Sequence, residues 1–393
     1  MEANFNLLRI NKSQCDAILS YCALLQILLA LIQDCIINIG VSIDTASKLR
    51  VISSLLLFLG TTLLTFKRKP KIVLISYSAF ISILSFSFIV FPQSHEFIFN
   101  DAIKYSVISI SIVLAIISIN DIDIFLKVLT KVSIFGSLIG ILYGITWHPA
   151  LTSDESIYSM SISYNLLLPS MVLFHSKGKL YKLLFIITVL VVVLFGSRGA
   201  LLFIVTYLLY RILFKSNVSK KLVFFLCVGI CLLLLPKIIN CLESFDSLSR
   251  SVQLILSGSF FSHDSGRTDI YELVLLHIAE APLFGHGIGA DRFYLNGFYA
   301  HNIILEMMLQ YGIVAGLSLF FLLTTFIVVA FLNFRLYRDY TIIFTLSGFL
   351  PLMLSGSYLI NFNFAATIGY ICLLFKSEQH STKFLNENIT YLQ

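Results

Sequence analysis

Between residues 17 and 375 the chain returns repeatedly to runs of about 16 to 26 apolar residues separated by polar joints. A helix needs about 20 apolar residues to cross the hydrocarbon core of a bilayer. Twelve segments meet or approach that length: 17-39, 49-66, 72-91, 104-119, 124-146, 160-175, 181-197, 199-214, 222-239, 308-333, 341-356 and 359-375. The expected fold is an all-α polytopic transmembrane bundle of about 12 spans, forming a single integral membrane domain over 1-393. Composition agrees: 58% of residues are hydrophobic, only 12% are charged, and mean hydropathy is +0.92. Soluble domains carry about a quarter charged residues, and no soluble core could bury this much apolar surface. The first apolar run lacks a small-residue cleavage site after it and reads as a retained helix. The seven cysteines are scattered, without a CxxC pair or a Cys/His cluster, and read as buried free thiols.

The net charge of +6 would suggest nucleic acid in a soluble protein. In a membrane chain it reflects cytoplasmic Lys and Arg, and no nucleic-acid partner is expected. Lys67, Arg68, Lys69 and Lys71, then Lys177, Lys179 and Lys182, then Arg211, Lys215, Lys220 and Lys221, then Arg335 and Arg338 all fall between spans on one side. Both termini join them, and that side is assigned to the cytoplasm. Lys48 and Arg50 break the pattern by landing outside. The outer side receives 92-103, 147-159, the tight Ser197-Arg198-Gly199 junction, and one long loop of about 240-307 expected to hold short helices.

Three outer stretches carry candidate chemistry. In "VLFGSRGALLFIV" (193-205), Arg198 sits between two spans with almost no loop. A guanidinium there is either a snorkelling interfacial side chain or a binding group, and the flanking Gly199 lets backbone approach a ligand closely. In "HDSGRTDIYELVLLHIAEAPLFGHGIG" (263-289), the pattern is a turn, an amphipathic helix with Leu273, Leu276 and Ile278 on its apolar side, and a glycine-rich run read as a flexible turn. Thr268 or Asp269 is expected to cap that helix, and Pro282 closes it. Arg267 lies just ahead of the helix N-terminus, where charge, bidentate donors and the helix dipole suit a phosphate. Pairing with Asp264 or Asp269 is the competing reading. In "YAHNIILEMMLQYGIVAG" (299-316), His301 is expected to start a helix and Asn302 to cap it. A helix start disfavours imidazolium, and a neutral imidazole can take a proton from a hydroxyl. The competing reading leaves both residues as caps and anchors. Metal chemistry has little support: Asp44 stands alone in the first outer loop and no HExxH spacing occurs.

Taken together, "GSRGALL", "SGRTDIYELVLLHIAEAPLFGHGIG" and "AHNIILEMMLQYGIVAGL" resemble the O-antigen ligase and O-antigen polymerase superfamily. Those proteins have an Arg after a span, an Arg opening the long periplasmic loop, a Pro-x-x-Gly-x-Gly turn, and a His-Asn before a helix ending in Gly-x-x-x-Gly. The motif match covers about 193-202 and 263-317. The resemblance implies a glycosyltransferase of the bacterial inner membrane, active at the periplasmic face in lipopolysaccharide biosynthesis, with no metal or other cofactor. It would move a glycan from undecaprenyl pyrophosphate to an acceptor hydroxyl. By carry-over, Arg198 and Arg267 would bind the pyrophosphate and His301 would activate the acceptor, with Asn302, Gly199 and Asp269 in support. The partners implied are the undecaprenyl-pyrophosphate-linked oligosaccharide and membrane lipids, and a chain-length regulator is a candidate partner.

Polymerases transfer to the non-reducing end of another lipid-linked repeat unit, and ligases transfer to lipid A-core. Arg267 and His301 are 34 residues apart, shorter than is usual in ligases, which favours the polymerase. A lipid-linked oligosaccharide flippase is the alternative from another class. It predicts ionisable groups facing a mid-membrane cavity, whereas the charges here gather in one outer loop. A non-enzymatic scaffold would leave the arginine arrangement without a reason.

Overall fold

The computed structural model describes residues 11-147, 159-195, 197-219, 221-222 and 266-390. Among these residues every regular element is helical. In chain order they are α1 (Lys12–Asn38), α2 (Ile43–Arg68), α3 (Pro70–Val90), α4 (His95–Asn100), α5 (Ala102–Tyr105), α6 (Ser111–Ser118) and α7 (Ile122–Thr146). Then come α8 (Met160–Asn165), α9 (Leu167–His175), α10 (Lys179–Leu194), α11 (Arg198–Lys215), α12 (Arg267–Glu280), α13 (Ala290–Tyr294), α14 (Ile303–Tyr311), α15 (Ile313–Asn333), α16 (Arg338–Phe344) and α17 (Phe362–Thr390).

Five helices, α1, α2, α3, α7 and α15, are long and apolar enough to cross a membrane. The other apolar segments are helical but shorter or broken. The 104-119 segment divides into α5, a π-helical turn over Ser106–Ile110, and α6. The 160-175 segment divides at Leu166, and 341-356 passes from α16 through a second π turn (Thr345–Phe349) into a 3-10 turn. The segment read as one span over 308-333 is two helices, α14 and α15. The 222-239 segment lies outside the described residues. Hydropathy averages over such breaks because the broken pieces are as apolar as the intact ones.

α1 is the spine. Leu19, Leu24, Ile27, Leu28 and Leu31 are buried on it, and it packs against α2, α6 and α7. Gly136 and Gly140 of α7 allow the approach: a Cβ would stand 2.9 Å from Leu28 and 2.7 Å from Leu166. Small residues at helix contacts are the usual way for helices to pack closely in lipid. α2, α3 and α15 instead expose Leu56, Leu63, Ile75, Ile89 and Phe321, as lipid-facing helices do. At one end of the bundle Lys69 and Lys376 both donate to the Ile117 carbonyl (3.0 and 3.2 Å). Arg68 pairs with Asp16, and Arg211 pairs with Asp339.

The described part of the long loop is firmly seated. α12 buries Val274 and Ile278, one helical turn apart, while Leu273 and Leu276 face outward. Its N-cap is Gly266, in the left-handed region (φ +75°), and Thr268 and Asp269 lie inside the helix. The glycine-rich run after Pro282 is not a flexible turn. The His286 and Gly287 amides donate to the Leu309 and Gln310 carbonyls (2.9 and 3.0 Å), satisfying the C-terminal end of α14. At the break between α14 and α15, Gly312 has φ +82°, and the Ile313 amide freed there donates to the Pro282 carbonyl at 2.8 Å. A helix break at membrane depth is tolerated only when its backbone groups find such partners.

The second anchor is electrostatic. Arg292 of α13 is 3% exposed and Glu306 of α14 is 0% exposed. The Arg292 guanidinium contacts Asp291 (2.5 Å), Glu306 (3.2 Å) and the Ser357 hydroxyl (2.8 Å). Ser357 also donates to Glu306, and Gln310 donates to Asp291 at 3.1 Å. Burial and the neighbouring Asp291 push the Glu306 carboxyl up, against the pull of Arg292. Removing one member of a buried ion network strands the others and costs about 3–5 kcal/mol. Arg292→Met is therefore expected to destabilise the detergent-solubilised protein by about that amount, measured by thermal melting. A loss below about 1 kcal/mol, typical of an exposed pair, would contradict this reading.

Candidate active site

A cleft of about 420 Å³ opens among α2, α5, α8 and the segment joining α16 to α17. Tyr299 lines it, and so does Tyr164. These two tyrosines link the cleft to the sequence candidates. The Tyr299 ring packs against the His301 ring, with centroids 4.4 Å apart. The Tyr164 hydroxyl lies against Gly199, where an added Cβ would come within 2.1 Å of it. The space left by Gly199 is thus filled by Tyr164 and not held open for a ligand.

His301 does not start the helix. α14 begins at Ile303, and Asn302 is its cap, its side-chain oxygen accepting from the Ile304 and Leu305 amides (2.9 and 3.4 Å). The capping role expected of Asn302 is thus present. His301 lies one residue earlier, with φ +54°. The left-handed region is uncommon for a residue with a side chain, although histidine is among those enriched there. The His301 Nδ1 atom is buried and has no hydrogen-bond partner among the described residues.

The imidazole is held toward its neutral form, as expected, but by other means than a helix dipole. Burial lowers the His301 pKa first, and the Arg267 guanidinium lowers it further. Both act against imidazolium. Arg267 and His301, 34 positions apart in sequence, therefore lie within electrostatic reach of one another. Arg267 is half-buried at the first position of α12, and Asp269 is exposed in that helix's first turn. Arg198 is half-buried at the first position of α11, behind a Ser197 cap that accepts from the Ala200 amide at 3.4 Å.

Several residues of the site escaped the sequence reading. Glu306 and Gln310 sit four apart inside the apolar run 303-311, and such polar residues in an apolar helix are a signal in themselves. Tyr164 and Tyr299 gave no signal, because tyrosines at helix ends are common in membrane chains. Arg50 stood out only as a breach of the charge bias, and it lines the cleft. Asp34, near the end of α1, accepts from Ser161 at 2.9 Å, and Ser161 lines the same cleft.

The strained histidine yields a discriminating substitution. Glycine tolerates φ near +54° without the steric cost of a side chain, about 1 kcal/mol. His301→Gly should leave melting unchanged or raise stability by up to about 1 kcal/mol, while catalytic turnover is lost. A variant destabilised by more than about 2 kcal/mol would show that His301 serves the fold and not the site.

No curated protein and no solved structure matches the chain. Residues 183–321, from within α10 to within α15, match the family described as O-Antigen ligase. That stretch contains Arg198, Gly199, Arg267, Asp269, His301 and Asn302. The match over residues 183–321 supports the O-antigen ligase and polymerase superfamily that the motifs resemble.

Proposed function

We propose that this protein is an O-antigen polymerase, transferring a glycan from undecaprenyl pyrophosphate to the non-reducing end of another lipid-linked repeat unit at the periplasmic face of the inner membrane. The observation that supports this best is the half-buried His301, whose Nδ1 has no hydrogen-bond partner among the described residues, packed against the cleft-lining Tyr299 and within the field of Arg267. In the proposed step the acceptor oxygen attacks the anomeric carbon with inversion. The bond from that carbon to the pyrophosphate oxygen breaks, the pyrophosphate keeps the electron pair, and the hydroxyl proton passes to neutral His301. Arg198 and Arg267 neutralise the charge that grows on the leaving group. Asn302 and the buried Arg292 network hold His301 in place.

Ligase activity is the second reading. It is favoured by the description of the matched family as O-Antigen ligase, whereas the 34-residue spacing favours the polymerase. Complementation separates them. In a polymerase-null strain this protein should convert a single-repeat lipopolysaccharide band into a ladder, and in a ligase-null strain it should restore nothing. The reverse outcome would make it a ligase. Within the rescued strain, Arg267→Ala should abolish the ladder at matched expression. Arg267→Lys should restore it only in part, because an ammonium lacks the planar fork that grips two oxygens. A normal ladder from Arg267→Ala would remove that residue from the mechanism.

A further inference from the structure

The matched region begins at residue 183, so the amino-terminal side of the cleft lies outside it. That side holds two cations, Arg50 of α2 and Lys104 of α5. The charge bias of the loops offers no reason for Arg50, which falls at the end of the chain's second apolar segment where basic residues are scarce. Its guanidinium is held in position by the Gln33 side-chain oxygen at 2.8 Å and lies over the Phe362 ring, 5.7 Å from its centroid. Asp34, which accepts from Ser161, lies within its electrostatic reach, but no carboxylate among the described residues comes within ion-pair distance of it. Lys104 reaches Asp101 at 2.8 Å, and Asp101 also faces the Arg292 Nε at 3.9 Å.

A second feature of the same cleft points to a ligand. Asn363 lines it, is 6% exposed, and has a side-chain oxygen with no hydrogen-bond partner among the described residues. A buried acceptor left unpaired costs about 1–3 kcal/mol, and a sugar hydroxyl is a donor of the right kind. Ser161, Asn165, Ser355 and Asn361 add neutral polar groups to the lining. A cleft combining neutral hydrogen-bonding groups, aromatic rings and a guanidinium with no carboxylate at ion-pair distance among the described residues suits a glycan that bears an anionic group.

We propose that Arg50 and Lys104 form a second anion subsite in the cleft, separate from Arg198 and Arg267, that holds an anionic group of the lipid-linked acceptor while Asn363 bonds its sugar. This rests on the glycosyltransferase reading above. Phosphate oxygens and a sugar carboxylate share the required chemistry, so the test uses both. The full-length protein in lipid nanodiscs is titrated with sugar-free undecaprenyl pyrophosphate and, separately, with a lipid-free trigalacturonate. A phosphate subsite predicts two undecaprenyl pyrophosphates bound per wild-type chain and one in Arg50→Gln. A carboxylate subsite predicts one bound in both, with trigalacturonate affinity falling at least tenfold in Arg50→Gln. Arg50→Lys should retain most of either signal, and Lys104→Gln, whose side chain is exposed, serves if Arg50→Gln fails to fold. Unchanged stoichiometry and unchanged trigalacturonate affinity in both variants would overturn the proposal. Arg267→Ala is the control for the underlying reading: if it leaves undecaprenyl pyrophosphate binding intact while Arg50→Gln weakens it, the Arg267 clamp fails and the second subsite stands.

Discussion

The contact on which the rest of this structure depends is the buried ion network of Arg292, Asp291 and Glu306. Charges of this kind are costly to remove from water, by several kcal/mol per ion even after relaxation. The cost is met by saturating the groups: Ser357, Gln310 and the Tyr358 amide supply further hydrogen bonds to the carboxylates or the guanidinium. Three parts of the chain meet there: α13 in the loop, α14 at the bundle edge, and the segment before α17. None of the three can shift without stranding a charge. The network therefore fixes where α14 begins, and with it where Asn302 and His301 stand.

From that fixed point the functional geometry follows by local rules. α14 has nine residues, too short to span a membrane, and its C-terminal carbonyls are satisfied by the glycine-rich turn after Pro282. The turn needs glycine because its neighbours crowd it. A Cβ at Gly289 would fall 2.3 Å from Phe97, and one at Gly285 would fall 2.5 Å from the Gly312 amide nitrogen. The Gly-x-x-x-Gly at the other end serves the same close packing, since Gly316 lies against the Met307 carbonyl. The Pro-x-x-Gly-x-Gly and Gly-x-x-x-Gly motifs are thus two halves of one joint, and the histidine sits at the free end of the short helix that the joint holds.

The helical class and the placing of most helices were legible in the sequence, because apolar runs separated by basic joints leave few alternatives. Arg198, Arg267 and His301 were singled out by their places near helix starts and by the family resemblance, and Asn302 caps its helix as read. The breaks were not legible. Gly312 interrupts a run of apolar residues that reads as continuous, and the π turn at Ser106–Ile110 leaves no mark in hydropathy. The neutrality of His301 was expected for the wrong reason: the helix begins two residues later, and burial with Arg267 performs what a dipole was expected to do. The network and the cleft were hidden because each is assembled from residues far apart in sequence, such as Arg292 and Ser357 in the network or Arg50 and Asn363 in the cleft, and no local pattern links them.

The central claim is that neutral His301 accepts the acceptor proton. It is tested most directly by the pH dependence of turnover for purified wild-type protein and His301→Gln, extending undecaprenyl-linked repeats. Glutamine keeps the size and hydrogen bonding of the side chain and removes its basicity. The account predicts a wild-type rate that holds as pH falls from 8 through the usual histidine range near about 6.5, because the pKa is lowered, and that declines only at more acidic pH. It predicts a His301→Gln rate lower by about 10²–10⁴-fold, with that acidic decline absent. A His301→Gln enzyme turning over at near wild-type rate, with the same acid limb, would contradict it.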